Sequence, residues 1–169
     1  MALPTQIDPR KLALQGIKLE GTVNVEDLPR LASSVTAICG PLWASVQFKL
    51  DESRAKVAIG IVKVPIEAVC QRCLDPLKLE LQAEFAVQVI WSEDHLNRVA
   101  TNYEPWLVVD KLACFSELLE DEILLALPLV NYHFEGECTG DTFMQEQESA
   151  AGDEVVADNP FNVLRQLKK

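Results

Sequence analysis

Cys70-Gln71-Arg72-Cys73 is the stretch of this 169-residue chain best equipped for chemistry. Two thiols at this spacing can turn toward one metal ion, or can oxidise against each other as a redox pair. The motif lies between two long segments of β character. A redox pair belongs at the start of a helix, where the dipole lowers the first thiol's pKa. A zinc knuckle instead wants a turn of this kind, together with two more ligands. His133 and Cys138, spaced H-x4-C just beyond Pro128, are the plausible second pair. The plainer alternative is two unligated thiols on a hairpin and a surface histidine, and spacing alone leaves the choice open.

The other reactive residue types give less. Cys39 and Cys114 have apolar neighbours (Ile38, Ala113, Phe115) and read as buried small hydrophobes. His95 follows Glu93 and Asp94 and reads as a solvated loop residue. Glu120 and Asp121 read as a solvated helix face, which is no place for a general acid–base pair. P-loop, nucleophile-elbow, HExxH and dinucleotide-binding patterns are all missing from the sequence. The expectation is therefore a protein that binds rather than catalyses. The rival is a small thiol-redox or zinc-dependent protein centred on Cys70 and Cys73. Lys49, Arg54, Lys56 and Lys78 fall in the central β region and form a candidate RNA-facing patch. Scattered surface charge is the simpler explanation of them, since no aromatic stacking platform accompanies them.

The elements that must position these residues are mostly strands. Leu19 to Val25 reads as a short strand, and Asp27 to Ser34 as a helix with Pro29 in its first turn. Trp43 to Leu50 alternates apolar and polar, and Asp51-Glu52-Ser53 supplies a turn. Arg54 to Val69 forms a second strand whose phase slips by one beside Gly60, which predicts a β-bulge. Leu77 to Val89 alternates most cleanly of all, as an antiparallel strand with one wet face does. After a loop from His95 to Asn102 comes a short strand at Trp106 to Val109. Ser116 is placed to cap a helix that runs to about Leu127 and ends at Pro128. The predicted class is α+β: an antiparallel sheet with a long central hairpin and helices packed on one side, forming a single domain over residues 1–138. Residues 139–158 read as an acidic flexible linker. Residues 159–169 read as a docking helix, capped by Asn159-Pro160, with Phe161, Leu164 and Leu167 on one side and Lys168 beside them.

Charge is unevenly shared. The chain carries a net charge of −11, yet Leu112 to Asp158 holds twelve acids and no Lys or Arg, leaving fourteen acids against fifteen bases elsewhere. That imbalance disfavours generic nucleic-acid binding, and would attract a basic partner such as a ribosomal protein. Solubility alone also accounts for it. No run of eighteen apolar residues is present, so no membrane helix is expected. The N-terminus lacks an apolar core of the secretory type, and five cysteines without an export signal point to the cytoplasm.

Several blocks together resemble the YceD family. They are Cys70-Gln71-Arg72-Cys73 between strands, Tyr103-Glu104-Pro105-Trp106, the run LLEDEILLALPL from Leu118 to Leu129, His133 with Cys138, and Asn159-Pro160-Phe161 with its basic end. The resemblance implies a role in the synthesis, processing or stability of large-subunit (23S) rRNA, without known catalytic activity. It also implies partners among that rRNA and its processing or assembly factors. Relatives that carry a cysteine-rich segment after the helix-ending proline suggest a metal knuckle completed by C-x-x-C. In this chain His133 and Cys138 would stand in that segment's place.

Overall fold

The alternation of the central region produces the expected hairpin. The computed structural model describes residues 1–134 and 136–139, and residues 1–132 make one compact unit. Its long strands are β4 (Leu42–Leu50), β5 (Lys56–Val69) and β6 (Pro76–Ile90). Shorter ones are β1 (Gln6–Ile7), β2 (Lys18–Val23), β3 (Ala37–Ile38), β7 (Glu104–Leu107) and β8 (Ala113–Cys114). The helices are α1 (Pro9–Gln15), α2 (Pro29–Ser34) and α3 (Phe115–Leu125), with 3-10 segments at Val25–Asp27 and Glu93–Arg98. The main sheet runs β2-β4-β5-β6-β7. β3 pairs with the far end of β5, so β3 and β4 lie along β5 as one strand interrupted at Gly40-Pro41. β1 and β8 make a separate two-stranded ladder.

The register corrects one expectation. β5 pairs with β4 and with β6 without a break, so the bulge at Gly60 is not there. Ala58, Val62, Val64 and Ile66 face the core, while Ile59 and Ile61 lie on the opposite face, and apolar residues on both faces imitate a phase slip. Gly60 serves packing instead. A Cβ there would meet Val46, Phe85 and the Ser45 carbonyl within 3 Å. A second correction concerns β7, which joins β6 in parallel at the sheet edge. All other pairings of named strands are antiparallel, and the α+β class holds.

All three helices bury their apolar sides on one face of the sheet. Ala13 of α1, Leu31 of α2, and Leu118, Leu119 and Ile123 of α3 share one cluster with Val46, Phe48, Val62 and Phe85. Phe48 and Phe115 meet there with ring centroids 5.9 Å apart, and each such buried ring contributes about 1.5–3 kcal/mol. Helix α1 was not expected, although its punctuation is plain. Asp8 accepts from the Lys11 N–H at 3.0 Å, Pro9 takes the first helical position, and Gly16 closes the helix at φ +65°. Cys114, not Ser116, holds the N-cap position of α3. Ser116 is instead buried inside the first turn, 3.4 Å from the Cys114 sulfur. Cys39 is exposed and Cys114 half-buried, so neither is the core thiol that its neighbours suggested. No helix among the described residues is long and apolar enough to cross a membrane.

Candidate metal centre

Thirteen consecutive paired positions of β5 and β6 fix the ends of the loop that carries the C-x-x-C motif. The last pair is Val69 with Pro76, and the six residues between them turn tightly. The Cys70 N–H donates to the Asp75 carbonyl and the Leu74 N–H to the Cys70 carbonyl, each at 2.9 Å. Leu74 takes up the reversal at φ +65°, a left-handed conformation costing a residue with a Cβ about 1–2 kcal/mol. Outside the turn, the Gln71 N–H donates to the Asn131 carbonyl at 2.8 Å, and the Arg72 guanidinium lies 5.0 Å from the centre of the Tyr132 ring.

One ligand atom from each of Cys70, Cys73, His133 and Cys138 lies within 4.8 Å of the other three. Cys70 and Cys138 are buried, Cys73 and His133 half-buried. Three sulfurs and one imidazole gathered at this spacing could hold a metal ion. Cys70 follows a strand rather than opening a helix, so no helix N-terminus lies at the thiol.

The other predicted site residues are dispersed. Lys49, Arg54 and Lys56 gather around the β4–β5 turn, where Arg54 adopts φ +64°. Lys78 pairs with Glu67 near the opposite end of the hairpin. It lies ten residues along β6 from Gln88, the partner of Val57, which is about 33 Å at strand rise. Phe161, Leu164, Leu167 and Lys168, like the acidic stretch 140–158, lie outside the described residues.

Two further groups escaped the sequence reading. Trp91, just beyond β6, has the Arg10 guanidinium 5.0 Å and the Lys56 ammonium 5.2 Å from its ring centre, with the His95 ring 5.0 Å away. Only the position of Trp91 directly after a strand hinted at this, since Arg10 arrives from α1. The second group corrects the reading of Glu120 as solvated. It is 1% exposed and receives the main-chain N–H groups of Arg30 and Leu31 at 2.8 and 2.9 Å. Nearby Glu122 is also buried. Loss of water, followed by the carboxylates of Glu104 and Asp121, pushes its pKa up to about 7.

Residues 59–168 match the family model described as "Large ribosomal RNA subunit accumulation protein YceD". That span includes Cys70, Cys73, His133 and Cys138. The chain is also 32% identical over 174 aligned positions to the protein of that name from Haemophilus influenzae, covering 99% of this chain and 97% of the relative. The chain belongs to the YceD family. No solved structure matches it. The family that the sequence resemblance implied is thus met by a relative that matches almost from end to end, while Asn159-Pro160-Phe161, one of the blocks that carried the resemblance, lies outside the described residues.

Proposed function

We propose that this YceD-family chain supports accumulation of large-subunit rRNA, through synthesis, processing or stability of 23S rRNA, acting in the cytoplasm by binding rather than catalysis. The observation that carries the reading is the near full-length match to a relative named for that role. The arrangement of reactive groups agrees with it, because the thiols gather for coordination and the buried carboxylate of Glu120 caps a helix. The partners are the large-subunit rRNA itself or its processing and assembly factors. A basic ribosomal protein drawn to the acidic residues after Leu112 is the second reading, favoured by the charge count.

The metal in this proposal is a structural zinc ion held by Cys70, Cys73, His133 and Cys138. Zn–S bonds of about 2.3 Å and a Zn–N bond of about 2.0–2.1 Å set tetrahedral ligand separations of roughly 3.5–3.8 Å. The 4.8 Å limit on the ligand atoms accommodates that set. When bound, the ion would tie the hairpin tip to the segment following the helix-ending Pro128. A thiol-redox activity finds less support, because a C-x-x-C that closes a strand pair lacks the helix N-terminus that activates such thiols.

Deleting the gene and measuring the ratio of large- to small-subunit rRNA, with their precursors, tests the function. A lowered ratio restored by the plasmid-borne gene is expected. An unchanged ratio overturns the proposal.

A further inference from the structure

The group around Trp91 has the composition of a ligand site. Arg10 and Lys56 both lie against this one indole, and neither has a carboxylate within 4.0 Å among the described residues. Arg10 is held in place by donating Nη2 to the Val108 carbonyl at 2.9 Å, while its Nε is buried with no hydrogen-bond partner among the described residues. Nδ1 of His95, on the other ring that packs against Trp91, is likewise buried without one. Of the acids close by in sequence, Asp8 accepts from the Lys11 N–H, while Glu52 and Glu93 are exposed and lie within 4.0 Å of neither cation. Asp51 accepts from Ser53 and from the Ala55 N–H, and Asp94 accepts from Ser92. Trp91 itself is 44% exposed, and Leu107 and Val109, on either side of the carbonyl that anchors Arg10, are exposed as well. Cations without counter-charges beside exposed aromatic and aliphatic surface suit a ligand that is anionic along its backbone and flat in its side groups.

We infer that Trp91, Arg10, Lys56 and His95 form a contact site for single-stranded RNA, with Arg10 and Lys56 meeting phosphates and the exposed indole and Leu107 meeting bases. This deepens the function proposed above and rests on it for the choice of RNA over other polyanions. It also moves the candidate RNA surface away from Lys78 and toward the β4–β5 end of the sheet. The net charge of −11 keeps such a site weak. Contact with two phosphates gives a salt slope of about −1.4 in log K against log salt.

The test uses the full chain and a fluorescein-labelled 20-nucleotide oligouridylate, followed by anisotropy between 20 and 200 mM KCl. Binding at low salt is expected, with quenching of tryptophan fluorescence. Lys56→Gln should weaken binding about five- to tenfold, Lys56→Arg should restore it, and Lys78→Gln should leave it unchanged. Trp91→Phe should abolish most of the quenching with little change in melting temperature. The inference is overturned by any of three results: no binding at 20 mM KCl, equal binding by wild type and Lys56→Gln, or equally tight binding of polyglutamate. The rRNA ratio in cells lacking the gene is read separately. A lowered ratio without RNA binding removes this site and leaves the function standing, whereas a normal ratio removes the function whatever the oligonucleotide does.

Discussion

Glu120 of α3 caps helix α2 through Arg30. Its Oε1 accepts the main-chain N–H groups of Arg30 and Leu31, and its Oε2 takes the Arg30 Nε at 2.9 Å. A carboxylate near a helix N-terminus meets both orphan donors and the positive end of the dipole. Arg30 also reaches Asp121 and the Glu117 carbonyl, so α2 is fastened to α3 by Arg30 and Leu31 on one side and Glu117, Glu120 and Asp121 on the other. Helix α2 has only six residues and no side-chain cap of its own, and it depends on this contact.

Replacing Glu120 with Ala should lower stability by about 2–4 kcal/mol, since two N–H groups lose their acceptor and a void opens. Arg30→Ala should cost only about 1 kcal/mol, because that side chain is half exposed. Urea unfolding of both variants measures the difference, and equal losses would show that the main-chain bonds matter less than the ion pair.

Glu122 should make stability fall as pH rises. Its pKa is raised to about 7 in the folded chain, against 4.5 as the ordinary value. Between those values the folded state holds a proton that the unfolded chain has released, so its stabilising effect is complete below about pH 4.5 and lost through pH 7. Glu122→Gln should therefore gain over wild type across that interval and keep a constant advantage of about 1–2 kcal/mol above it, allowing for partial solvation. Thermal melts at pH 5, 6, 7 and 8 decide this. A pH-independent difference between the two proteins would refute it.

Leu74→Gly should stabilise the chain. At φ +65° a Cβ is strained, and this side chain is 74% exposed, so little packing is lost. Relief of the left-handed penalty exceeds the added freedom of glycine in the unfolded chain, for a net gain of about 0.5–1 kcal/mol. A drop in melting temperature would mean that the leucine side chain contributes contacts of its own.

Metal content gives the fourth prediction. Protein purified without chelator should carry about one zinc per chain, as a tetrahedral four-ligand structural site does. Cys138→Ser should lose most of it, while Cys39→Ser, at an exposed thiol outside the cluster, should keep it. Chelation should lower the melting temperature of wild type and leave Cys138→Ser unmoved. Equal zinc in the two cysteine variants would dissolve the site.

Much of this fold can be read from residue order because the hairpin writes itself in period two. Leu77, Leu81, Phe85 and Val87 of β6 do lie on the buried face that their alternation demands. Reading fails where a residue's surroundings come from far along the chain. Glu120 looks solvated beside Asp121 until α2, ninety residues away, is laid against it. Lys56 looks like a scattered surface base until Trp91 and Arg10 arrive from other elements. Ile59 and Ile61 mimic a bulge because apolar side chains on the open sheet face are as legible as those in the core. The metal cluster was legible in part, since sulfur and imidazole at knuckle spacing are rare enough to suggest each other.

Fastening α2 through α3 also sets an order of events when the chain is made. The β5–β6 ladder pairs close neighbours and can form as soon as it is synthesised, whereas α2 must wait uncapped until residue 120 exists, and β1 until Ala113 and Cys114 do. Contacts that span most of the sequence are slow to close. A nascent chain of this protein should therefore hold its amino-terminal third in an unfinished state for most of its synthesis, and snap shut only near the end.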